Sequence, residues 1–227
     1  MSTPDHSNLS KITSTESGRG SRDEKESAPG LRVIPYFSPI SRTNCYVVAG
    51  RDSSEAILLD PVHLDNELYS LLLQHNLTVR WVLVTHPEAY MRHALRTLCR
   101  IYSYQLVAGT NDMFGITCEH LVPEEINTLE IGGLHLQALP VLPHSTSSYM
   151  YRLGELLFTG TIVHAGTLGE TPSSYNEELL VATMKDMIFT IPRAEREMIL
   201  LPAVGPPSTI RAEQHLSPYY RDHCEPA

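Results

Sequence analysis

From Leu31 onward the chain alternates short β-rich runs with helical stripes, and it does so in two rounds. That pattern restricts the possible folds more than any other property of the sequence, because each sheet face and each helix stripe must find an apolar partner. The first round predicts strands over residues 31–37, 45–49, 55–59 and 80–84. A helix is expected between the last two, with Leu68, Leu71, Leu72 and His75 at helical spacing behind the N-cap residue Asp65. A second helix follows from Met91, Leu95, Leu98 and Tyr102, with Arg92, Arg96 and Arg100 on its opposite, solvated side. The second round predicts a meander of strands over residues 128–131, 134–140, 148–153 and 156–158, turning at Gly132-Gly133 and Gly154-Glu155. Ser174 and Glu177 have capping-box spacing ahead of the apolar stripe Leu180, Met184, Met187 and Ile188, which is read as core packing. A last strand over residues 198–201 ends at Pro202, and a final helix is expected beyond Gly205-Pro206-Pro207. Two strand-rich halves, each followed by helices, predict an α/β fold: a four-layer αββα sandwich.

Residues 1–30 hold ten Ser or Thr, and after Met1 only Leu9 and Ile12 as large aliphatics, too little apolar surface to offset chain entropy. The expected organisation is a disordered tail over residues 1–30 and one domain over 31–227, which fits a chain of 227 residues with 42% hydrophobic content. A formal net charge of −9 argues against nucleic acid and anionic membrane as partners, since both require a positive face. No run of eighteen apolar residues and no signal-peptide pattern occurs, and the dispersed Cys45, Cys99, Cys118 and Cys224 form no C-x-x-C pair. The expectation is a cytoplasmic protein with reduced thiols. Nucleotide-binding glycine loops, H-E-x-x-H and G-x-S-x-G are absent from the sequence.

The stretch Val82-Leu83-Val84-Thr85-His86-Pro87-Glu88-Ala89-Tyr90-Met91 resembles the strand and metal-binding loop of the metallo-β-lactamase superfamily, which usually has T-H-x-H-x-D-H there. Four further landmarks lie in the family's order. They are Asn44-Cys45-Tyr46-Val47-Val48, Ile57-Leu58-Leu59-Asp60-Pro61, Leu142-Pro143-His144-Ser145 and Leu157-Phe158-Thr159-Gly160-Thr161. The fifth, Leu201-Pro202-Ala203-Val204-Gly205-Pro206-Pro207-Ser208-Thr209-Ile210 with Ser217-Pro218-Tyr219 behind it, is similar to the ending of the small hydroxyacylglutathione-hydrolase-like branch. The resemblance covers residues 31–220.

The resemblance implies a site at which histidines and aspartates hold two metal ions and a bridging hydroxide. Position by position, His86 and His144 keep family histidines. Glu88 replaces the second histidine, Tyr90 an aspartate, Met91 a histidine, Thr161 the bridging aspartate and Val204 the last histidine. A thioether suits hard or borderline ions poorly, valine has no lone pair, and threonine offers only a neutral hydroxyl. The second metal position is therefore expected to be lost. His86, Glu88 and His144 remain as a His₂Glu set for one ion at most, as in single-zinc hydrolases. Against that stands a plain structural role for each: a hydrogen-bonded remnant, a helix-starting carboxylate and a loop brace. Tyr90, with a phenol in place of the family carboxylate, is a poor general base at neutral pH. His93, one helical turn into the second helix, is expected to cover the core edge.

The expected function is a non-catalytic binding or interaction module, with no catalytic residues and no cofactor, whose former active-site cleft accepts a small molecule or a protein segment. The alternative is a mononuclear metal-dependent hydrolase of a thioester or related ester, with zinc on His86, Glu88 and His144.

Overall fold

A computed structural model describes residues 30–189 and 197–218. Except for Gly30, the expected tail lies outside the described residues, as do Tyr219 and Cys224.

The first sheet is built from β1 (Leu31–Ser38), β2 (Thr43–Gly50), β3 (Glu55–Leu59), β4 (Thr78–Leu83), β5 (Gln105–Ala108) and β8 (Glu119–His120), which neighbour one another in that order. Strands β1 to β3 pair antiparallel, whereas β3, β4, β5 and β8 run parallel. Parallel neighbours need crossovers, and these are α1 (Asn66–Gln74) and α2 (Arg92–Ile101). Asp65 caps α1 as expected, its carboxylate accepting from the amides of Glu67 and Leu68. A single 3₁₀ turn, Ala89–Met91, leads into α2, and the small ribbon β6 (Asp112–Met113) and β7 (Ile116–Thr117) follows β5.

The second sheet has the order β16-β15-β12-β11-β10-β9. Its strands are β9 (Asn127–Ile131), β10 (Leu134–Pro140), β11 (Tyr149–Leu153), β12 (Leu156–Gly160), β15 (Ile199–Pro202) and β16 (Ser208–Thr209). The predicted meander is present from β9 to β12, and both Gly132 and Gly133 take positive φ at its first turn. A short hairpin of β13 (Val163–His164) and β14 (Thr167–Leu168) precedes α3 (Ser174–Met184), and α4 (Ile210–Leu216) closes the described chain. The cap of α3 is Ser173, whose hydroxyl accepts from the Asn176 amide, one residue earlier than the capping-box spacing suggested.

Three separate apolar layers follow from the two-residue period of the strands. Val47, Leu58 and Val82 face Leu68, Leu72, Leu95 and Leu98 of the helices. Their chain neighbours Val48, Leu59 and Leu83 turn the other way, against Leu136, Tyr151 and Phe158 of the second sheet. Met150, Leu157 and Leu200 of that sheet then pack on Leu180, Met184 and Ile210. Helix, sheet, sheet, helix is the expected αββα sandwich. Met184 and Ile188 are buried in the third layer with Met187 against it, so the methionine stripe is core. Among the described residues no helix is long and apolar enough to cross a membrane, and Cys45, Cys99 and Cys118 are free thiols.

Candidate functional site

One end of the sandwich gathers loops from both sheets, and their anchoring begins below the surface. Asp60, at positive φ just beyond β3, accepts from the Thr85 amide at 2.8 Å and from the Thr85 hydroxyl at 2.9 Å. Burial pushes its carboxyl up to about 6, partly opposed by those two bonds. Thr85 in turn accepts from the Tyr149 amide at 2.8 Å, which ties the end of the first sheet to β11 of the second. Gly160 is required beside it: its φ is +57°, and a Cβ there would lie 2.0 Å from the Thr85 hydroxyl. The next residue after this anchored threonine is His86.

The opposing loop, residues 141–148, is folded tightly on itself, with His144 donating its amide to Val141 O and Ser148 to Ser145 O. Its side chains meet His86. Ser148 Oγ lies 2.7 Å from His144 Nδ1, 3.0 Å from His86 Nδ1 and 2.7 Å from Ser145 Oγ. Ser145 Oγ is also 3.0 Å from His86 Nδ1. The two imidazoles stand edge to face, 4.9 Å between centroids. Glu88 Oε1 is 3.7 Å from His86 Nε2, an ion-pair distance longer than a hydrogen bond. Burial lowers the pKa of both histidines. For His144, with His86 and His164 adding to the effect, it falls to about 4; for His86, Glu88 pulls the other way. Both rings are neutral at pH 7.

His86, Glu88 and His144 line one cleft of about 550 Å³, together with Ser145, Thr161, His164, Glu170, Thr171 and Pro172. The Thr161 hydroxyl is buried there without a hydrogen-bond partner, and His164 Nε2 is bonded to the Thr161 carbonyl at 2.9 Å. Gly169 closes over them, since a Cβ on it would lie 2.1 Å from the Thr161 carbonyl oxygen and 3.3 Å from His144 Nε2. Among the described residues, no group of three or more His, Cys, Asp or Glu side chains is arranged to hold a metal ion.

The remaining positions singled out in the sequence lie elsewhere. Met91 is 3% exposed and belongs to the first apolar layer with Val84 and Leu95. Tyr90 and Val204 are 44% and 36% exposed, and none of these three lines the cleft. Partial burial, then Glu88 and Asp60, push the Tyr90 phenol up to about 12, further from use as a base. The loop carrying Val204 is pinned by Asn44, whose side-chain amide donates to Pro202 O at 2.9 Å and Gly205 O at 2.7 Å. His93 is exposed. Arg92 stacks on Phe114 and Arg96 donates to its carbonyl, while Arg100 is exposed.

Sequence reasoning missed His164, Glu170 and Ser148. Ser148 had no local signal, since its role depends on the loop of residues 141–148 meeting His86. His164 and Glu170 reach the cleft through the β13–β14 hairpin, whose two-residue strands carry no pattern.

The architecture and this pole of loops are those of the metallo-β-lactamase fold, and that is the fold of this chain. The crystal structure of BLEG-1 B3 metallo-β-lactamase superposes with a TM-score of 0.70 at 23% identity, covering 84% of this chain and 99% of the other. ETHE1 from Myxococcus xanthus does so with a TM-score of 0.67 at 23% identity, covering 82% and 83%. By sequence, the chain is 25% identical over 150 residues to BaeB of Bacillus velezensis, described as a probable polyketide biosynthesis zinc-dependent hydrolase, covering 63% of this chain and 67% of that protein. No protein-family profile matches the chain.

Proposed function

We propose that this protein is a pseudoenzyme of the metallo-β-lactamase fold, a non-catalytic module that binds a small molecule or a protein segment in the cleft between His86, His144 and Glu170. The observation that carries this reading is the position of Met91, whose thioether lies in a helix-to-sheet core rather than at the cleft. With Tyr90 and Val204 turned to solvent, the residues present do not fit a two-ion centre, which needs charged or imidazole donors converging on the second ion. Membership of the small hydroxyacylglutathione-hydrolase-like branch is part of the same proposal and rests on the Pro202 to Ile210 motif. So is a cytoplasmic location, which the free thiols favour.

A second reading, a mononuclear zinc hydrolase of a thioester or related ester, is favoured by one observation. The Nδ1 atoms of both His86 and His144 are tied to serine hydroxyls, the arrangement by which outer groups orient imidazole ligands. His86, Glu88 and His144 would hold the ion, and it would supply a polarised water.

Elemental analysis of untagged protein after zinc and iron supplementation separates the two. The expected content is well below one equivalent of either metal. A stoichiometric ion, removed only by strong chelation, would overturn the non-catalytic reading.

A further inference from the structure

The hydrogen-bond network behind the two histidines constrains what they present to the cleft. Ser148 is fully buried and has three partners within hydrogen-bonding distance: His144 Nδ1, His86 Nδ1 and Ser145 Oγ. A hydroxyl has one proton to donate and two lone pairs with which to accept. All three contacts form only if Ser148 donates once and accepts twice, so it accepts from at least one imidazole N–H. Where it donates to Ser145, it accepts from both. A neutral ring that places its proton on Nδ1 has a free lone pair on Nε2.

Neither Nε2 has a hydrogen-bond partner among the described residues. His144 is 8% exposed and bonded through Nδ1, and the Glu88 carboxylate lies 3.7 Å from His86 Nε2, beyond hydrogen-bonding distance. An imidazole lone pair that opens onto a cavity, with no protein partner, is a site at which a donor can be seated. The rest of the wall agrees in sign. Glu88 and Glu170 line it, the Thr161 hydroxyl is unpartnered, and no Lys or Arg is among the lining residues. An anionic occupant would meet two carboxylates and no compensating charge.

We propose that Ser148 donates to Ser145 and accepts from both imidazoles, and that the cleft is thereby a binding site for a small organic cation with several N–H donors, an ammonium, amidinium or guanidinium head seated between the imidazole Nε2 atoms and Glu88. A volume of about 550 Å³ exceeds such a head alone, so the cation is the terminus of a longer molecule whose remainder lies toward Thr171 and Pro172. This deepens the binding role proposed above and rests on a cleft without metal.

The test uses the full chain, untagged and analysed for metal, with agmatine and benzamidine as cationic probes and succinate as an anionic control, near neutral pH. Titration calorimetry is expected to give agmatine a dissociation constant below about 1 mM, with no detectable succinate binding. Glu88→Gln, at a partly exposed position, is expected to weaken agmatine about tenfold without unfolding the protein. In long-range ¹H–¹⁵N spectra of histidine-labelled protein, the Nε2 signals of His86 and His144 should move from the unprotonated toward the hydrogen-bonded range. Ser148→Ala removes no wall group, yet should reduce the same response by freeing the tautomers. Metal-free protein whose imidazole signals do not move at about 10 mM agmatine, or that binds succinate more tightly, overturns the cation site and leaves the non-catalytic reading standing. One tightly held equivalent of zinc overturns both.

Discussion

Glu88 and Met91 stand three residues apart in one loop, and their side chains end in opposite environments: Glu88 at the wall of an open cleft, Met91 in the apolar layer beneath α2. The same division runs through the whole pole. His86, His144 and Thr161 join Glu88 on the cleft, backed by Ser145 and Ser148, whereas Tyr90 and Val204 join Met91 in having left it. The difference teaches that a replaced ligand position is defined by where its new side chain goes. On the first flank the replacements kept polar atoms and kept a cavity to face. On the second, one replacement was absorbed into the core and the others turned to water.

The largest effect expected from this comparison is at Met91. Met91→His would have to bury an imidazole among Val84, Leu95 and their neighbours, losing apolar contact and leaving polar nitrogens unpaired. We expect a loss of about 2–4 kcal/mol in urea unfolding. A variant as stable as the parent would mean that the layer opens readily to the cleft, and the two flanks would then be one.

The two flanks share the anchor at Asp60, and pH separates its contribution from that of His144. His144 is held near 4 in the fold and titrates near 6.5 when unfolded, so between these values the unfolded chain binds more protons and stability rises with pH. His86, lowered in the same direction, adds to this slope. Asp60 is raised to about 6 from 3.8, so the folded state binds more protons there and its contribution falls as pH rises through that window. The slopes of His144 and Asp60 oppose one another, so from pH 4 to 6 the parent should rise only by what His86 adds. Asp60→Asn preserves the shape and the bond accepted from the Thr85 amide, turns the Thr85 hydroxyl from donor to acceptor of the new amide N–H, and removes one slope. Its unfolding free energy should climb by about 2–3 kcal/mol from pH 4 to 6.5. A variant that rises no more than the parent would show that the histidines are not kept neutral by burial.

Ser148→Ala tests the first flank more gently. It leaves His144 Nδ1 without its 2.7 Å partner inside a buried loop, while His86 retains Ser145. The expected loss is about 1–2 kcal/mol, smaller than at Met91 because one imidazole remains bonded. A neutral result would mean that water replaces the hydroxyl and that the loop, not Ser148, positions His144.

Much of this was legible in the sequence, for a physical reason. Strand alternation such as Val47/Val48 and Leu58/Leu59, the Asp65 cap and the Gly132-Gly133 turn are local devices, and local devices carry over directly into structure. The sequence also marked His86, Glu88 and His144 as one set, and the fold brings them to one cleft. Ser148 as a shared partner was not legible, since it depends on two loops meeting across both sheets. Met91 was marked twice, as part of the apolar stripe with Leu95 and Leu98 and as a former ligand position, and the stripe is the reading that the fold follows. The short strands β5 and β8 were missed because so few residues display no period, whereas β15, as short as β5, was read from its apolar run and the Pro202 that ends it.

The smallest effect is expected at Val204, and it is the finest test of the comparison. Val204→His restores, by resemblance, the last family histidine. The loop that carries it is held by backbone contacts, with the Asn44 amide donating to the carbonyls of Pro202 and Gly205, so the substitution exchanges one exposed side chain for another on a fixed backbone. No polar atom is buried, no bond is lost and no cavity opens, so stability should stay within about 0.5 kcal/mol of the parent. Adding Tyr90→Asp, also at an exposed position, should leave the variant folded. If the second flank has left the site, the imidazole and carboxylate so introduced still lack the donor that Met91 withholds, and zinc titration should give no binding tighter than the parent's. Zinc binding gained by these two changes alone would show that the exposed side chains can swing back to a common ion, that the second flank is vacant rather than repacked, and that the division between the flanks is a matter of side chains only.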